Sequence, residues 1–410
     1  MKIRWWVIII LVFSLGAALA TGSTMLWRLF IFLGVLLFLS FIWMRVNIRY
    51  IDGRVVRLSP YCRVGDRFEE EIIFYNKGRL PTALIEVKEN AEFPGYKSVA
   101  NFHLPAQGTY SWHSEGICQR RGIYNMGKLV VKMTDPLGFF TVKEKITDSK
   151  SITVFPTTID LPFFQVLPRQ EIGPSKRRWF TSEPGTNAAR VRDYLSGDSL
   201  RNIHWHTTAH TGNLMVKEFD PERAVIAYKD IWIVLDMFET SHFGKGDETT
   251  EEYAVNIAAS LVKKYIDEGK NVGLMASGEH SFLFLPETGE EHLQELMRAL
   301  AVIKADSTLS LDGLVAAQEE RFEPGDAVVV ISPSPNIQAP VRRMVNRGTV
   351  VTAVLLDAAS FGGKTSAVET ARTLVSSGIH SYLVRRGAQI ARALDSRYLL
   401  APIGYIGAAR

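Results

Sequence analysis

The feature that most constrains this chain is a pair of adjacent apolar segments at its N-terminus. Residues 5–27 carry no charged side chain, and residues 29–44 are again free of charge after Arg28. A hydrocarbon core about 30 Å thick is crossed by about 20 helical residues, and the long side chain of Arg28 can snorkel to the interface. The polar stretch Thr21–Thr24 is typical of a turn between antiparallel helices. We therefore predict a transmembrane hairpin over residues 1–48, with helices at about residues 5–22 and 25–44.

The charges that flank the two segments predict the orientation of the hairpin. Lys2 and Arg4 precede the first segment, whereas the intervening turn offers only Arg28. Four arginines follow the second segment: Arg45, Arg49, Arg54 and Arg57. Because cations accumulate on the cytoplasmic side of a membrane, we expect a multi-pass protein of the cell membrane whose C-terminal body is cytoplasmic. The juxtamembrane arginines can contact anionic lipid headgroups there.

A cleaved signal peptide is the alternative interpretation of the first segment. Lys2 and Arg4 give the charged start of such a peptide, and Ala18-Leu19-Ala20 resembles a cleavage site. The second segment would still span the membrane in that case, with the cations that follow it inside. The body is therefore expected in the cytoplasm on either interpretation.

Cysteine content and charge exclude several classes of protein. Cys62 and Cys118 are the only cysteines, which gives neither a disulfide framework nor a zinc-ligand spacing. The formal net charge of +4 is modest, and the juxtamembrane arginines account for it. Basic residues do not form a stripe interleaved with aromatics, so we expect no nucleic-acid partner. The sequence leaves the oligomeric state open.

The body divides by its pattern into a β-rich part, a connecting segment and an α/β part. Short β-rich runs separated by turn residues predict an antiparallel sandwich over residues 49–160. Residues 161–228 read as an irregular connecting segment. From residue 229 to 410 apolar strands such as Ile231–Leu235 alternate with helical patterns such as Glu248–Glu268, which predicts a doubly wound parallel sheet. The predicted fold class is thus a multidomain chain: hairpin, sandwich-like domain and α/β domain.

The most distinctive motif lies in the connecting segment, over residues 189–210. Its characteristic positions are Arg192, Asp193, Tyr194, Gly197, Asp198, Arg201, Ile203, His204, Trp205 and Ala209. This pattern resembles the family called domain of unknown function 58, found in bacterial and archaeal membrane proteins, and Arg120–Tyr124 and Asp135–Phe140 resemble its preceding strand pair and turn. The sequence departs from the family at His210, where arginine is usual, and at His206, where lysine is common.

The resemblance carries expectations about fold and partners. It implies a β-rich region followed by a von Willebrand factor A-like domain, which agrees with the division read from periodicity. It also implies a non-enzymatic scaffold or adaptor that works with a MoxR-type AAA+ ATPase in assembling or maturing envelope complexes. The motif residues have two interpretations: a buried ion-pair knot joining Arg192 or Arg201 to Asp193 or Asp198, or an exposed surface that recognises a partner.

The sequence contains two candidate metal sites. Metal-binding A-like domains carry aspartate and hydroxyl ligands that suit Mg²⁺, and Asp236, Thr240 and Thr308 match part of that set. Phe238 replaces one expected hydroxyl, and Ser332-Pro333-Ser334 offers no carboxylate. The histidines His204, His206 and His210 form a second candidate cluster. The alternative function is therefore a metal-dependent hydrolase, or another enzyme, that uses Asp236 or these histidines; we expect no cofactor beyond Mg²⁺ at a degenerate site.

Overall fold

The computed structural model describes residues 2–57, 61–89, 93–166, 188–194, 200, 203–219, 228–278 and 280–398. The chain divides into two compact units. The N-terminal unit comprises Met1–Thr157 and Met297–Ile303, and the C-terminal unit comprises Thr158–Leu296 and Lys304–Arg410. The protein is therefore multidomain, as predicted.

Two apolar helices open the N-terminal unit. Helix α1 spans Trp5–Thr21 and helix α2 spans Thr24–Asn47. Gly22 ends α1 in the left-handed conformation, with φ 65°, and its N–H donates to the carbonyl of Ala18. Within the described part of the chain, Thr24–Tyr50 is the one helix long and apolar enough to cross a membrane, which fits an anchor or a signal sequence. Helix α1, with 17 residues, is a shorter apolar helix.

Two β-sheets complete the N-terminal unit. Their strands are β1 Lys2–Ile3, β2 Ile51–Arg57, β3 Tyr61–Arg63, β4 Arg67–Asn76, β5 Ile85–Glu89, β6 Val99–Phe102, β7 Thr109–Ile117, β8 Gly122–Thr134 and β9 Phe140–Phe155. One sheet has the order β1-β9-β8-β5-β6 with β3 added parallel to β9, and the other has the order β2-β4-β7. Apolar side chains of both sheets meet in one buried cluster, as a sandwich requires.

Strands β8 and β9 are longer than the short strands predicted from the sequence, with 13 and 16 residues. Their pairing continues through a register shift between Met126 and Lys128. Such a bulge bends a long strand without ending it. The run Leu129–Met133 predicted as a strand is therefore only the central part of β8.

The end of α2 belongs to the core of the sandwich. Met44 and Ile48 are buried in the same cluster as the apolar residues of both sheets. The buried hydroxyl of Ser40 donates to Asp135 at 2.5 Å, and the amide of Asn47 donates to the carbonyl of Pro81 at 3.2 Å. The helix is thus joined to the sandwich by packing and by hydrogen bonds, and not only by the chain.

From residue 158 onward the described residues form ten further strands and seven α-helices. The strands are β10 Ala188–Asp193, β11 Met215–Phe219, β12 Ile231–Leu235, β13 Gly244–Lys245, β14 Glu248–Thr249, β15 Val272–Ser277, β16 Ser281–Glu287, β17 Ala327–Ser332, β18 Val350–Leu356 and β19 His380–Val384. The α-helices are α3 Trp205–Thr211, α4 Thr250–Asp267, α5 Glu290–Val302, α6 Leu311–Gln318, α7 Gln338–Asn346, α8 Val368–Ser376 and α9 Ile390–Ala393. The part of α5 from Met297 onward belongs to the N-terminal unit, and the other elements belong to the C-terminal unit.

A six-stranded sheet of order β16-β15-β12-β17-β18-β19 forms the core of this unit. Every neighbouring pair is parallel except β15–β16. Strand β12 is buried along its whole length, and its Trp232 and Val234 pack with residues of α6, α7 and α8. Helix α4 contacts the same strand and buries Ile257 and Leu261. Both faces of the sheet are therefore covered, which confirms the predicted doubly wound α/β architecture.

The segment predicted to be irregular, residues 161–228, contains regular structure where it is described. Strands β10 and β11 pair antiparallel, and α3 lies between them in the sequence. Residues before this hairpin bond to other parts of the C-terminal unit. The amide of Ile159 donates to Ser260, and the hydroxyl of Tyr382 donates to the carbonyl of Gln165. The prediction of an irregular segment was wrong for β10, α3 and β11, because their short pattern is too brief to show a period.

Candidate functional site

The carboxyl ends of β12 and β17 place Asp236 next to Ser332. In a doubly wound sheet this edge is where ligands bind, at the point where the strand order reverses. One oxygen of Asp236 accepts the hydroxyl of Ser332 at 2.6 Å, and the other accepts the amide of Phe238 at 3.1 Å. The amide of Ser334 donates to Ser332 at 2.9 Å. Both carboxylate oxygens of this buried residue are thus engaged in holding the loops that follow the two strands.

The loop at residues 306–309 lies beside this turn, as the sequence pattern required for a metal site. Ser307 pairs with Phe238 in a β-bridge and exchanges backbone hydrogen bonds with Met237 and Glu239. The buried hydroxyl in this loop is that of Ser307, which lies 2.8 Å from the hydroxyl of Ser277. Thr308 and Thr240 are exposed. The structure therefore brings the three segments together. The hydroxyl that points inward is that of Ser307 and not that of the predicted Thr308.

Burial is the main influence on the charge of Asp236. Desolvation raises the pKa of this carboxyl, and the hydrogen bonds from Ser332 and Phe238 oppose that shift, as does the charge of His242. Among the described residues, no group of three or more His, Cys, Asp or Glu side chains is placed to hold a metal ion. Binding of Mg²⁺ by Asp236, Thr240 and Thr308 stays a prediction.

Two further polar groups at this edge were missed by reading the sequence. His242 lies with its Nε2 2.8 Å from the carbonyl of Asp236 and its Nδ1 3.1 Å from the hydroxyl of Thr250, so it ties β12 to the start of α4. Asp357 follows β18, accepts the amide of Ala367 and pairs with Arg385 at 3.4 Å. An acid directly after a buried strand was a signal for Asp357, whereas nothing in the sequence marks His242.

The family motif forms a second candidate site, a β-hairpin that carries a short helix. Arg192 on β10 lies opposite Val216 on β11 and donates to the carbonyl of Asp193 at 2.9 Å. The amide of Tyr194 donates to the carbonyl of Leu214. Gly197, Asp198 and Arg201 lie outside the described residues. The ion-pair knot of Arg192 or Arg201 with Asp193 or Asp198 therefore stays a prediction.

Three large apolar side chains of this motif are exposed. Trp205, the first residue of α3, is 66% exposed, Leu200 is 65% exposed, and Leu214 is exposed as well. An indole this accessible does not act as the buried anchor that a purely structural motif would use. We call these three side chains the Trp205 patch.

The three histidines of the motif do not converge in the way a metal site requires. The Nδ1 of His204 accepts the amide of Thr207 at 3.2 Å and caps the N-terminus of α3. The ring of His206 lies 6.2 Å from that of His204, edge to face, and His210 is exposed on the last turn of the helix. A metal site at these residues, like the one at Asp236, stays a prediction.

Comparison with known families and proteins agrees with the motif. Residues 190–360 match the family model described as "Protein of unknown function DUF58". The match begins in β10, so it includes the described motif residues, Asp236 and the sheet as far as β18. The chain is also similar to uncharacterized protein YeaD of Bacillus subtilis (strain 168), with 26% identity over 214 residues, which cover 51% of this chain and 50% of YeaD. It thus spans about half the length of the curated relative that it matches.

Two of the similar solved structures are distant likenesses. The CARDB domain of the PF1109 protein from Pyrococcus furiosus has a TM-score of 0.19 at 11% identity, covering 25% of this chain and 86% of that one. The C-terminal domain of wzt has a TM-score of 0.21 at 8% identity, covering 26% of this chain and 72% of that one. These values are too low to support a functional argument.

Proposed function

We propose that this protein is a membrane-anchored, non-enzymatic scaffold that binds protein partners at the cytoplasmic face. The observation that carries the proposal is the exposed Trp205 in the motif where the family match begins. Tryptophan is enriched at the centres of protein interfaces, because it contributes a large apolar area and one hydrogen-bond donor. Leu200 and Leu214 of the same motif are exposed as well, and exposed apolar side chains grouped in one motif support a binding surface.

Charged side chains of both signs lie on the hairpin that carries Trp205. Arg192 and Lys217 lie on its paired strands, and Asp193 and Glu218 lie on the same strands. Charged groups around an apolar centre limit the choice of partner. The partner class we propose is a MoxR-type AAA+ ATPase, with assembly or maturation of envelope complexes as the process.

The fold supports an A-like domain as the body of the scaffold. Counted from β12 as the first strand, the sheet has the order 3-2-1-4-5-6 of a doubly wound fold, with its third strand antiparallel at one edge. This order is compatible with the von Willebrand factor A-like assignment. The bonds from Ser332 and Phe238 to Asp236 give this carboxylate a structural role, because they join the loops that follow β12 and β17.

The exposed faces of both N-terminal helices support a two-span anchor. Large apolar side chains point outward along α1 and α2: Ile8, Ile9, Ile10, Val12, Phe13, Leu19, Leu29, Ile31, Phe32, Val35, Phe38 and Leu39. In water such a surface would aggregate, whereas in lipid it is satisfied. Helix α1 with its 17 residues is at the short end of membrane-spanning lengths.

Replacement of Trp205 tests the proposed binding surface. We expect Trp205→Ala to abolish co-purification of an AAA+ ATPase with the full-length protein. Its free energy of unfolding should change by less than about 0.5 kcal/mol, because the side chain is exposed. Leu285→Ala, at another exposed apolar position, is the matched control and should leave capture intact. Undiminished capture by Trp205→Ala would refute this surface, and unfolding of the variant would return the residue to a structural role.

One tag in the turn of the predicted hairpin and one at the C-terminal end of the chain test the anchor. A cysteine-free protein with one reactive tag between Gly22 and Ser23 should react with a membrane-impermeant reagent on intact cells. A tag placed after Arg410 should react only after lysis, because both ends of a two-span hairpin face the cytoplasm. Labelling of the second tag on intact cells would overturn the proposed cytoplasmic site of action.

A further inference from the structure

The two cysteines of this chain lie together in the N-terminal unit. Cys62 is the central residue of β3, and Cys118 directly follows β7. Both belong to one buried apolar cluster with Phe68 and Val154, and an interaction between the two thiols influences the pKa of each. Because β3 pairs with β9 while β7 belongs to the other sheet, the two sulfurs lie between the two sheets of the sandwich.

Two cysteines placed at random in this chain would rarely be neighbours. A fully buried residue touches about 6–12 others, so a second cysteine placed at random in a chain of 410 residues would be its neighbour about two or three times in a hundred. No other cysteine is present in the sequence. The pair therefore points to chemistry between the two sulfurs.

The backbone around the two residues holds them in place. The amide of Gly65 donates to the carbonyl of Cys118 at 2.8 Å, and the amide of Cys118 donates to the carbonyl of Asp66 at 2.9 Å. The turn after β3 is held by a hydrogen bond from the amide of Val64 to the carbonyl of Phe155. Short bonds on both sides of Cys118 thus keep the two thiols together without a covalent link.

We propose that Cys62 and Cys118 are a redox-sensitive pair that forms a reversible disulfide between the two sheets. The oxidant is a small disulfide of the glutathione class. The thiolate of Cys62 attacks one sulfur of the oxidant and releases one thiol, leaving a mixed disulfide on Cys62. Cys118 then attacks the Cys62 sulfur and releases the second thiol. Two S–H bonds are lost and one S–S bond is gained, while the two electrons and two protons pass to the oxidant.

The order of attack follows from the exposure of the two residues. Cys62 is 9% exposed, whereas Cys118 is fully buried. Burial raises the pKa of both thiols, that of Cys118 to about 12, so the thiolates are scarce and uncatalysed oxidation is slow. The pair therefore remains reduced at rest and responds to sustained oxidation.

Reaction with glutathione disulfide tests the pair on the full-length protein in detergent. We expect the folded wild type to lose both thiols, to keep no glutathione, and to fall in intact mass by about 2 Da. Its unfolding temperature should then be higher than that of the reduced protein, because the bond closes a long loop. Treatment with dithiothreitol should restore both thiols and the original unfolding temperature.

Two single variants separate the steps of this exchange. Cys118→Ser should accumulate one glutathione on Cys62, because the second attack is lost. Cys62→Ser should keep the Cys118 thiol unreacted as long as the protein is folded. A wild type that retains glutathione, that links chain to chain, or that loses its thiols only after addition of urea would overturn the proposal.

Discussion

Met44→Ala should lower the free energy of unfolding of the N-terminal unit by about 2–5 kcal/mol. Met44 lies in α2 but is fully buried against the apolar core of the sandwich, in the same cluster as Ile72 and Phe74. Shortening a buried side chain removes its transfer free energy and leaves a cavity that the neighbours fill only in part. Pulse proteolysis of the detergent-solubilised protein across a urea series measures this loss.

Met25→Ala is the matched control, since this methionine lies on the same helix but is 79% exposed. The control should change the free energy of unfolding by no more than about 0.5 kcal/mol. Equal effects of the two substitutions would mean that α2 does not pack on the sandwich. A large loss at Met44 alone would establish the helix as part of the folded core.

Because α2 packs on the sandwich, it has a structural role as well as its proposed role as an anchor. A chain that begins at Ile51 lacks Met44 and Ile48, so its sandwich would expose the apolar surface that α2 covers. It would also leave Asp135 without the hydroxyl of Ser40, and a buried acceptor without a donor is costly. A soluble form of the body is therefore better begun within α2 than after it. Helix α2 is thus a structural element of the sandwich in addition to its proposed role as an anchor.

The packing of α2 on the sandwich was not predicted from the sequence. The apolar residues of a helix that face lipid have the same side chains as those that face a protein core, so Met44 and Phe38 cannot be told apart by composition. Only the buried polar residues Ser40 and Asn47 distinguish the packed face, and their partners Asp135 and Pro81 are distant in sequence. Such a contact depends on tertiary structure, which periodicity does not reveal.

The α/β sheet was more readily predicted because its signals are local. Ile231–Leu235 is a short run of apolar residues that is buried throughout, and α4 shows a helical period with its N-terminus capped by Thr249. Asp236 was placed correctly at the end of its strand for the same reason. Which hydroxyl turns inward, that of Ser307 or of Thr308, follows from loop geometry that has no sequence period. The partnership of His242 with Asp236 likewise required the fold.

Asp236→Ala should destabilise the C-terminal unit by about 2–4 kcal/mol. The substitution removes the acceptor for the hydroxyl of Ser332, at the end of buried strand β17, and for the amide of Phe238, in the loop after β12. Buried donors that lose their partner pay most of their desolvation cost. Urea unfolding at pH 7 measures the effect. Asp267→Ala removes only a surface pair with Lys263 on α4 and should cost about 0.5 kcal/mol or less.

Asp236→Asn separates the structural role of this carboxyl from a role in binding metal. Because burial raises the pKa of Asp236 above its ordinary 3.8, this carboxyl holds its proton more tightly in the folded protein than in the unfolded chain. The stabilisation contributed by this group is then complete below pH 3.8 and is lost as the pH rises towards the folded pKa. The side chain of the Asp236→Asn variant does not titrate. Its free energy of unfolding minus that of the wild type should therefore increase from pH 3.8 to the folded pKa and stay constant above it. If Mg²⁺ at millimolar concentration instead stabilised the wild type and not the variant, Asp236 would be a ligand and the enzymatic alternative would regain its support.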